Sequence, residues 1–170
     1  MTLVKQTFLL VNRFILILFW RMALEIERKY KVINDDYREK ASCVYNIKQG
    51  YLSTQKEATI RVRVKDNNAY ITVKGVNNGA TRNEWEYPIP YDDAIQMLKL
   101  CKVNIIEKER HIVEFEWYTW EVDEFHGTHE GLVIAEIELI DEKETFPIPS
   151  FIGEEVTGNV NYYNSTLAGI

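Results

Sequence analysis

The sequence predicts a mainly β (α+β) fold: an eight-stranded antiparallel β-barrel with a charged lumen and a few flanking helices. Three observations predict it. After residue 22, apolar and polar residues alternate with period two over most of the chain, the pattern of half-buried strands. Short polar turns separate the alternating segments, and links that short join antiparallel neighbours. The polar positions collect like charges two residues apart, as in Glu25/Glu27, Arg61/Arg63, Glu84/Glu86, Lys108/Arg110 and Glu136/Glu138.

The expected strands are Leu24–Val32, Tyr45–Ser53, Thr59–Lys65, Ala69–Lys74, Arg82–Pro88, Glu107–Glu114, Trp117–Phe125 and Leu132–Leu139, about eight, a number that can close into a small barrel. Asp66-Asn67-Asn68 and Asn77-Asn78-Gly79 are hairpin turns of the Asn/Gly kind, and 126–131 is a polar loop before the last strand. Helices are fewer. Asp35–Val44 is expected to be helical, capped by Asn34 or Asp35. Tyr91–Leu100 follows Pro90 and carries Asp92 and Asp93 in its first turn, where acidic groups suit the helix dipole. A short helix is expected over Tyr163–Ala168.

Side chains at i and i+2 share one face of a strand, about 7 Å apart. Sorting each strand by parity separates an apolar track from a charged one. Ile26 and Tyr30 oppose Glu25, Glu27 and Lys29; Val62 and Val64 oppose Arg61 and Arg63; Val73 opposes Lys74; Trp85 and Tyr87 oppose Arg82, Glu84 and Glu86; Ala135 and Ile137 oppose Glu136 and Glu138. For any single strand, an ordinary sheet with its charged face in water explains this. Taken together, so many like pairs repel unless a counter-charge gathers them. A barrel with the charged tracks inside and the apolar tracks under helices resolves the conflict. Carboxylates on its walls would bind a divalent cation, which prefers hard oxygen ligands. Arginine and lysine on the other walls would bind phosphate oxygens. There is no Gly-rich phosphate loop, so side chains from many strands would have to do the holding.

Composition sets the outer limits. The chain has 170 residues, 46% hydrophobic, enough for a single domain with a sizeable core. A net charge of −6 argues against broad nucleic-acid binding, although a local basic cluster can still dominate its own cleft. Cys43 and Cys101 form no motif and suit a reducing, cytoplasmic compartment. Residues 1–21 differ from the rest. Their apolar run, Phe8–Trp20, is interrupted by Asn12 and Arg13 and is short for a bilayer span of about 20 residues. The expectation is that translation starts at Met22 and that 22–170 form the domain; a membrane-surface anchor is the alternative.

The run Leu24-Glu25-Ile26-Glu27-Arg28-Lys29-Tyr30 resembles the signature of the CYTH superfamily, also called triphosphate tunnel metalloenzymes. Further segments resemble it in order: Gln49-Gly50-Tyr51-Leu52-Ser53, Arg61-Val62-Arg63, Thr72-Val73-Lys74-Gly75, Arg82-Asn83-Glu84-Trp85-Glu86, Glu107-Lys108-Glu109-Arg110, Val122-Asp123-Glu124-Phe125 and Ala135-Glu136-Ile137-Glu138. The likeness runs from Met22 to the C-terminus and is greatest to compact bacterial members that hydrolyse inorganic triphosphate. It implies a tunnel in which Glu25, Glu27 and Glu138, with Glu136 nearby, hold Mg²⁺ or Mn²⁺. It implies that Lys29, Arg61, Arg63, Lys74, Arg82, Lys108 and Arg110 grip the triphosphate, and that a second metal would activate a water for attack on a terminal phosphorus, with Glu84, Glu86 and Asp123 as its supports. Lys29 and Tyr51 are the implied catalytic candidates, Tyr51 as a proton acceptor, although a phenol with a pKa near 10 is a poor base. Asn159 and Asn161 depart from the family's acidic and basic residues at the tunnel mouth.

The expected activity is therefore a metal-dependent hydrolysis of inorganic triphosphate or another triphosphate-bearing small molecule. Alternatives on the same scaffold are adenylate cyclase, thiamine triphosphatase and nucleoside triphosphatase; a non-catalytic polyphosphate-binding module is the alternative of a different class. His111, His126 and His129 are read as surface histidines, and Trp117, Tyr118 and Trp120 as packing residues.

Overall fold

A computed structural model of the chain describes residues 25–53, 55, 58–76, 78 and 80–170. The expectations for residues 1–21, for Leu24 and for Asn77 and Gly79 of the second turn fall outside the described residues. The strands are β1 (Glu25–Val32), β2 (Ala41–Ser53), β3 (Thr59–Lys65), β4 (Asn68–Lys74), β5 (Thr81–Arg82), β6 (Glu84–Ile89), β7 (Ile106–Phe115), β8 (Tyr118–Phe125), β9 (Val133–Glu138) and β10 (Ile152–Glu155). The α-helices are α1 (Asp36–Lys40), α2 (Tyr91–Leu98) and α3 (Asn164–Leu167).

Neighbouring strands run in the order β10-β1-β9-β8-β7-β2-β3-β4-β6, with β5 on β1. Their pairings are antiparallel. The expected Arg82–Pro88 strand is broken at Asn83 because its two parts have different partners. β5 pairs with β1 through Glu25↔Arg82 and Ile26↔Thr81, while β6 pairs with β4 from Lys74↔Glu84 onward. The ladder is thus not a fully closed barrel: among the described residues its seam is spanned by β5 and by the Ala80 carbonyl, which accepts the Glu27 N–H at 3.1 Å. The remaining expected strands appear where alternation placed them, and β10 is an addition.

The first helix is a correction. It stops at Lys40, and Ala41 already has extended backbone, φ −66° and ψ 126°. A helix this short is marginal by itself, whereas Ala41, Cys43, Val44 and Tyr45 pair with β7. Ladder pairing outweighs a weak helical preference there. Asp35 stands at the N-cap without a side-chain cap bond, and the Asn34 side-chain oxygen just before it accepts the Asp36 N–H at 3.0 Å. In the β3–β4 hairpin, Asp66 takes the positive φ, 49°, that a two-residue turn demands. Trp117 is also corrected: it lies in the β7–β8 turn beside Glu116 and is 60% exposed, outside the buried core.

The apolar tracks are covered from outside. Ile26, Tyr30, Trp120, Val122, Ala135 and Ile137 pack with Tyr37 of α1 and with Phe151. Val62 and Val64 lie under Ala94, Ile95 and Leu98 of α2. Each large side chain buried this way contributes about 1.5–3 kcal/mol. A further cluster lies on the lumen side. Tyr51, Ile106, Phe125 and Ile134 pack with Ala168, Tyr162, Leu167 and Ile170, so the C-terminal segment stoppers the lumen with apolar side chains. Among the described residues, no helix is long and apolar enough to cross a membrane.

Candidate active site

Residues opposite one another on neighbouring strands share a face, so register defines the lumen wall. Glu27 stands opposite Glu138 and Lys29 opposite Glu136. Glu136 stands opposite Glu121, and Arg110 opposite Asp123. Tyr51 faces Arg61 and Gln49 faces Arg63. Arg61 faces Thr72, Thr72 faces Glu86, Lys74 faces Glu84, and Arg82 faces Glu25 across the seam. Lys108 shares the parity of Arg110. All the metal, phosphate and proton-transfer candidates named from the sequence therefore lie on one face.

Lys29, Arg61, Lys74, Lys108 and Arg110 are each at most 7% exposed. Cations so withdrawn from water require compensation, and carboxylates supply it. In one net, Lys29 Nζ contacts Glu27 at 2.6 Å and also Glu136. Arg110 donates to both oxygens of Asp123 at 2.6 Å, to Glu136 at 2.8 Å and to Glu121, while Lys108 bonds Asp123. In a second net, Glu86 accepts from Thr72 at 2.7 Å, Arg63 at 2.9 Å and Arg61 at 3.1 Å. Lys74 contacts Glu84 at 2.5 Å and Glu25 at 3.5 Å, and Arg82 donates to Glu25.

These surroundings move the titrations. Burial and the nearby Arg61 push the Lys74 ammonium down to about 8. Burial also disfavours charged Lys29, but Glu136 and Glu27 outweigh it and hold Lys29 above its ordinary value. Burial would raise Glu136; Lys29, Arg110 and Lys108 hold it well below the usual carboxylate range. Tyr51 is pushed up by burial despite Arg61, Arg82 and Lys29, so its phenol is held protonated, the opposite of what a base requires.

Glu25, Glu27, Lys29 and Arg82 line a small recess, partly open to solvent, together with Thr157, Gly158 and Tyr163. Its donor chemistry suits a divalent cation. Glu25 and Glu27, two residues apart on one face, line the recess, and Glu138, the register partner of Glu27, stands at the exposed end of β9. Glu136 is engaged differently, one oxygen with Lys29 and the other with Arg110.

The comparisons with known proteins agree with this geometry. The CYTH domain model matches residues 23–165. The chain belongs to the CYTH domain family. An inorganic triphosphatase of Acetivibrio thermocellus is 49% identical over 147 residues, 86% of this chain and 94% of that protein. An inorganic triphosphatase of Nitrosomonas europaea is 28% identical over 148 residues, covering 85% and 96%. A crystal structure of an inorganic triphosphatase superposes with a TM-score of 0.61 at 27% identity, covering 85% of this chain and 93% of that one. A Pyrococcus horikoshii protein, at 23% identity and a TM-score of 0.57, shares the fold over 69% of this chain and 79% of its own.

Within this CYTH domain some lumen residues carried no expected role. Gln49 is 1% exposed, and neither amide atom has a hydrogen-bond partner among the described residues. Parity with Tyr51 on β2 was the available signal. Thr157 accepts the Lys29 backbone N–H at 3.0 Å and donates to Glu155 at 2.7 Å, which only the return of a distant segment could reveal. Tyr163 lines the recess whereas Tyr162 packs into the stopper. Asn159 caps its own 3₁₀ turn by accepting the Asn161 N–H at 3.1 Å. His111 is a correction: it is 5% exposed, not a surface histidine.

Proposed function

We propose that this CYTH domain hydrolyses inorganic triphosphate with the help of a bound Mg²⁺ or Mn²⁺ ion. The observation that carries the reading is the buried bank of Lys29, Arg61, Lys74, Lys108 and Arg110 beside the Glu25, Glu27 and Glu138 carboxylates. Few ligands other than a chain of phosphates with its metal ion present both signs in such proximity. The two inorganic triphosphatases with coverage of 94% and 96% of their own length support the same substrate.

Glu25, Glu27 and Glu138 would hold the metal, which when bound supplies charge neutralisation and an activated water. The protein's part is positioning and electrostatics, as phosphoryl transfer demands. Arg61 and Arg63 offer planar forks to phosphate oxygens; Lys29, Lys74 and Lys108 act as point charges. Glu86, Glu84, Asp123 and Glu136 hold these cations in place. Tyr51, protonated, donates a hydrogen bond to a phosphate oxygen. The Cys43 and Cys101 thiols, both free, support a reducing cytoplasmic setting.

The test is release of phosphate by the full chain from triphosphate, ATP and thiamine triphosphate, with Mg²⁺ and with Mn²⁺. Triphosphate should be turned over fastest, and Glu27→Gln should abolish turnover while leaving the melting transition cooperative. No phosphate release from any of the three would sink the hydrolase reading; cyclic AMP from ATP would replace it with a cyclase.

A further inference from the structure

On the opposite side of the sheet from the lumen, Glu109 and His111 of β7 and Glu124 of β8 converge. One ligand atom from each lies within 4.8 Å of the others. Glu109 and Glu124 are directly opposed across the β7–β8 ladder, a pair of like charges that repels unless a cation joins it. Arg38 and the Tyr37 hydroxyl bond Glu124, the latter at 3.1 Å, but Glu109 has no ion pair among the described residues.

The second observation is His111 itself. It is 5% exposed, and neither ring nitrogen has a hydrogen-bond partner among the described residues. A buried imidazole left without any partner is costly. Its Nε2 lies 3.6 Å from Glu124 Oε2, too long for a hydrogen bond. That spacing is close to the edge of a tetrahedral metal site, about 3.4 Å for ligands at about 2.1 Å. The edge-on Tyr37 ring, 5.1 Å from the imidazole, fixes the side chain in this orientation.

We propose that Glu109, His111 and Glu124 form a binding site for Zn²⁺ or a chemically similar late first-row divalent cation, separate from the triphosphate lumen. The imidazole nitrogen distinguishes it from a Mg²⁺ site, whose ligands are oxygens. Water would complete the coordination. The Tyr37 O–H on Glu124 supplies the outer hydrogen bond that ligating carboxylates use. Such an ion would tie β7 to β8, behind Arg110 and Asp123.

The experiment titrates the full chain with Zn²⁺ in excess Mg²⁺, which occupies oxygen-ligand sites, and follows the histidine ring nitrogens by NMR alongside the melting temperature. The His111 ring resonances should shift as one equivalent is added, and the melting temperature should rise. Glu109→Gln, a near-isosteric change at a half-buried position, should weaken Zn²⁺ binding at least about tenfold, since even outer-shell losses cost 10–100-fold. Combined His126→Ala and His129→Ala should leave binding intact. The proposal is overturned if His111 is unmoved by saturating Zn²⁺, or if Glu109→Gln binds Zn²⁺ as tightly as the parent chain.

Discussion

Glu136 is the hinge of the lumen's charge balance, and Glu136→Gln tests that balance. The carboxylate bonds Lys29 through one oxygen and Arg110 through the other, and all three side chains are about nine-tenths buried. Removing one partner from a buried ion pair costs about 3–5 kcal/mol when the other is left uncompensated. Here compensation is partial, because Lys29 keeps Glu27 and Arg110 keeps Asp123 and Glu121. We therefore expect a loss of about 2–4 kcal/mol at pH 7, or roughly 5–15 °C in melting temperature for a domain of this size. Added triphosphate should partly reverse the loss. The variant's lumen is one unit more positive, so triphosphate without metal should raise its melting temperature more than the parent's; a ligand at 100 times Kd contributes about 2.7 kcal/mol. The assay is thermal unfolding in a chelator, with and without triphosphate. A variant melting within about 2 °C of the parent, or gaining less from triphosphate, would refute the reasoning.

Gln49→Leu should weaken triphosphate binding by about tenfold, one hydrogen bond to a charged group, while stability holds or rises because a buried amide without partners is removed; a drop in stability would show that the amide is satisfied in the folded protein. Gly50→Ala should destabilise by about 1–3 kcal/mol, since its Cβ would stand 2.6 Å from Cys101 Sγ and 2.7 Å from Ile105 Cδ1; adding Cys101→Ala should recover part of the loss in chemical denaturation, and no recovery would point to Ile105 as the obstacle. Glu86 should contribute to acid sensitivity. Burial raises its pKa, but Arg63, Arg61 and the Thr72 hydroxyl outweigh that and hold it below the ordinary value. A depressed carboxyl stabilises above its unfolded pKa and loses that contribution as pH falls through the folded one. Glu86→Gln should thus be less stable than the parent at pH 7 and nearly equal to it near pH 3, as read by urea unfolding at both values.

Much of this was legible because a strand's period is two: Glu25, Glu27 and Lys29 share a face whatever lies beside them, and so do Arg61 and Arg63. Two kinds of information were not local. The first is a change of partner. Arg82 and Glu84 look like one strand by parity, yet they pair with β1 and β4 respectively, and only the meeting of distant edges decides that. The second is long return. Thr157 reaches the Lys29 backbone from 128 residues away, and α3 brings Ala168 onto Ile106 and Phe125. His111 illustrates a related limit. Its neighbours Glu109 and Arg110 suggest an exposed polar stretch, but parity places it under Tyr37 on the apolar side.

The arrangement also explains why a charged lumen can fold before any ligand arrives. Arg61, Lys74, Lys108 and Arg110 would be prohibitively costly to bury bare. Each is matched to a carboxylate on a nearby strand: Arg61 and Arg63 to Glu86, across β4, and, on adjacent strands, Lys74 to Glu84 and Lys108 and Arg110 to Asp123. These carboxylates accept no metal role in our assignment; they stand in for solvent. A triphosphate entering such a lumen exchanges partners rather than neutralising free charge, so part of its attraction offsets the pairs it disturbs. That predicts modest affinity for the bare anion and a larger gain when a divalent ion accompanies it, because Glu25, Glu27 and Glu138 are then stabilised by the same event. Titration calorimetry of triphosphate with and without Mg²⁺ would test this, and tighter binding of the metal-free anion would show that the cations are freer than their ion pairs imply.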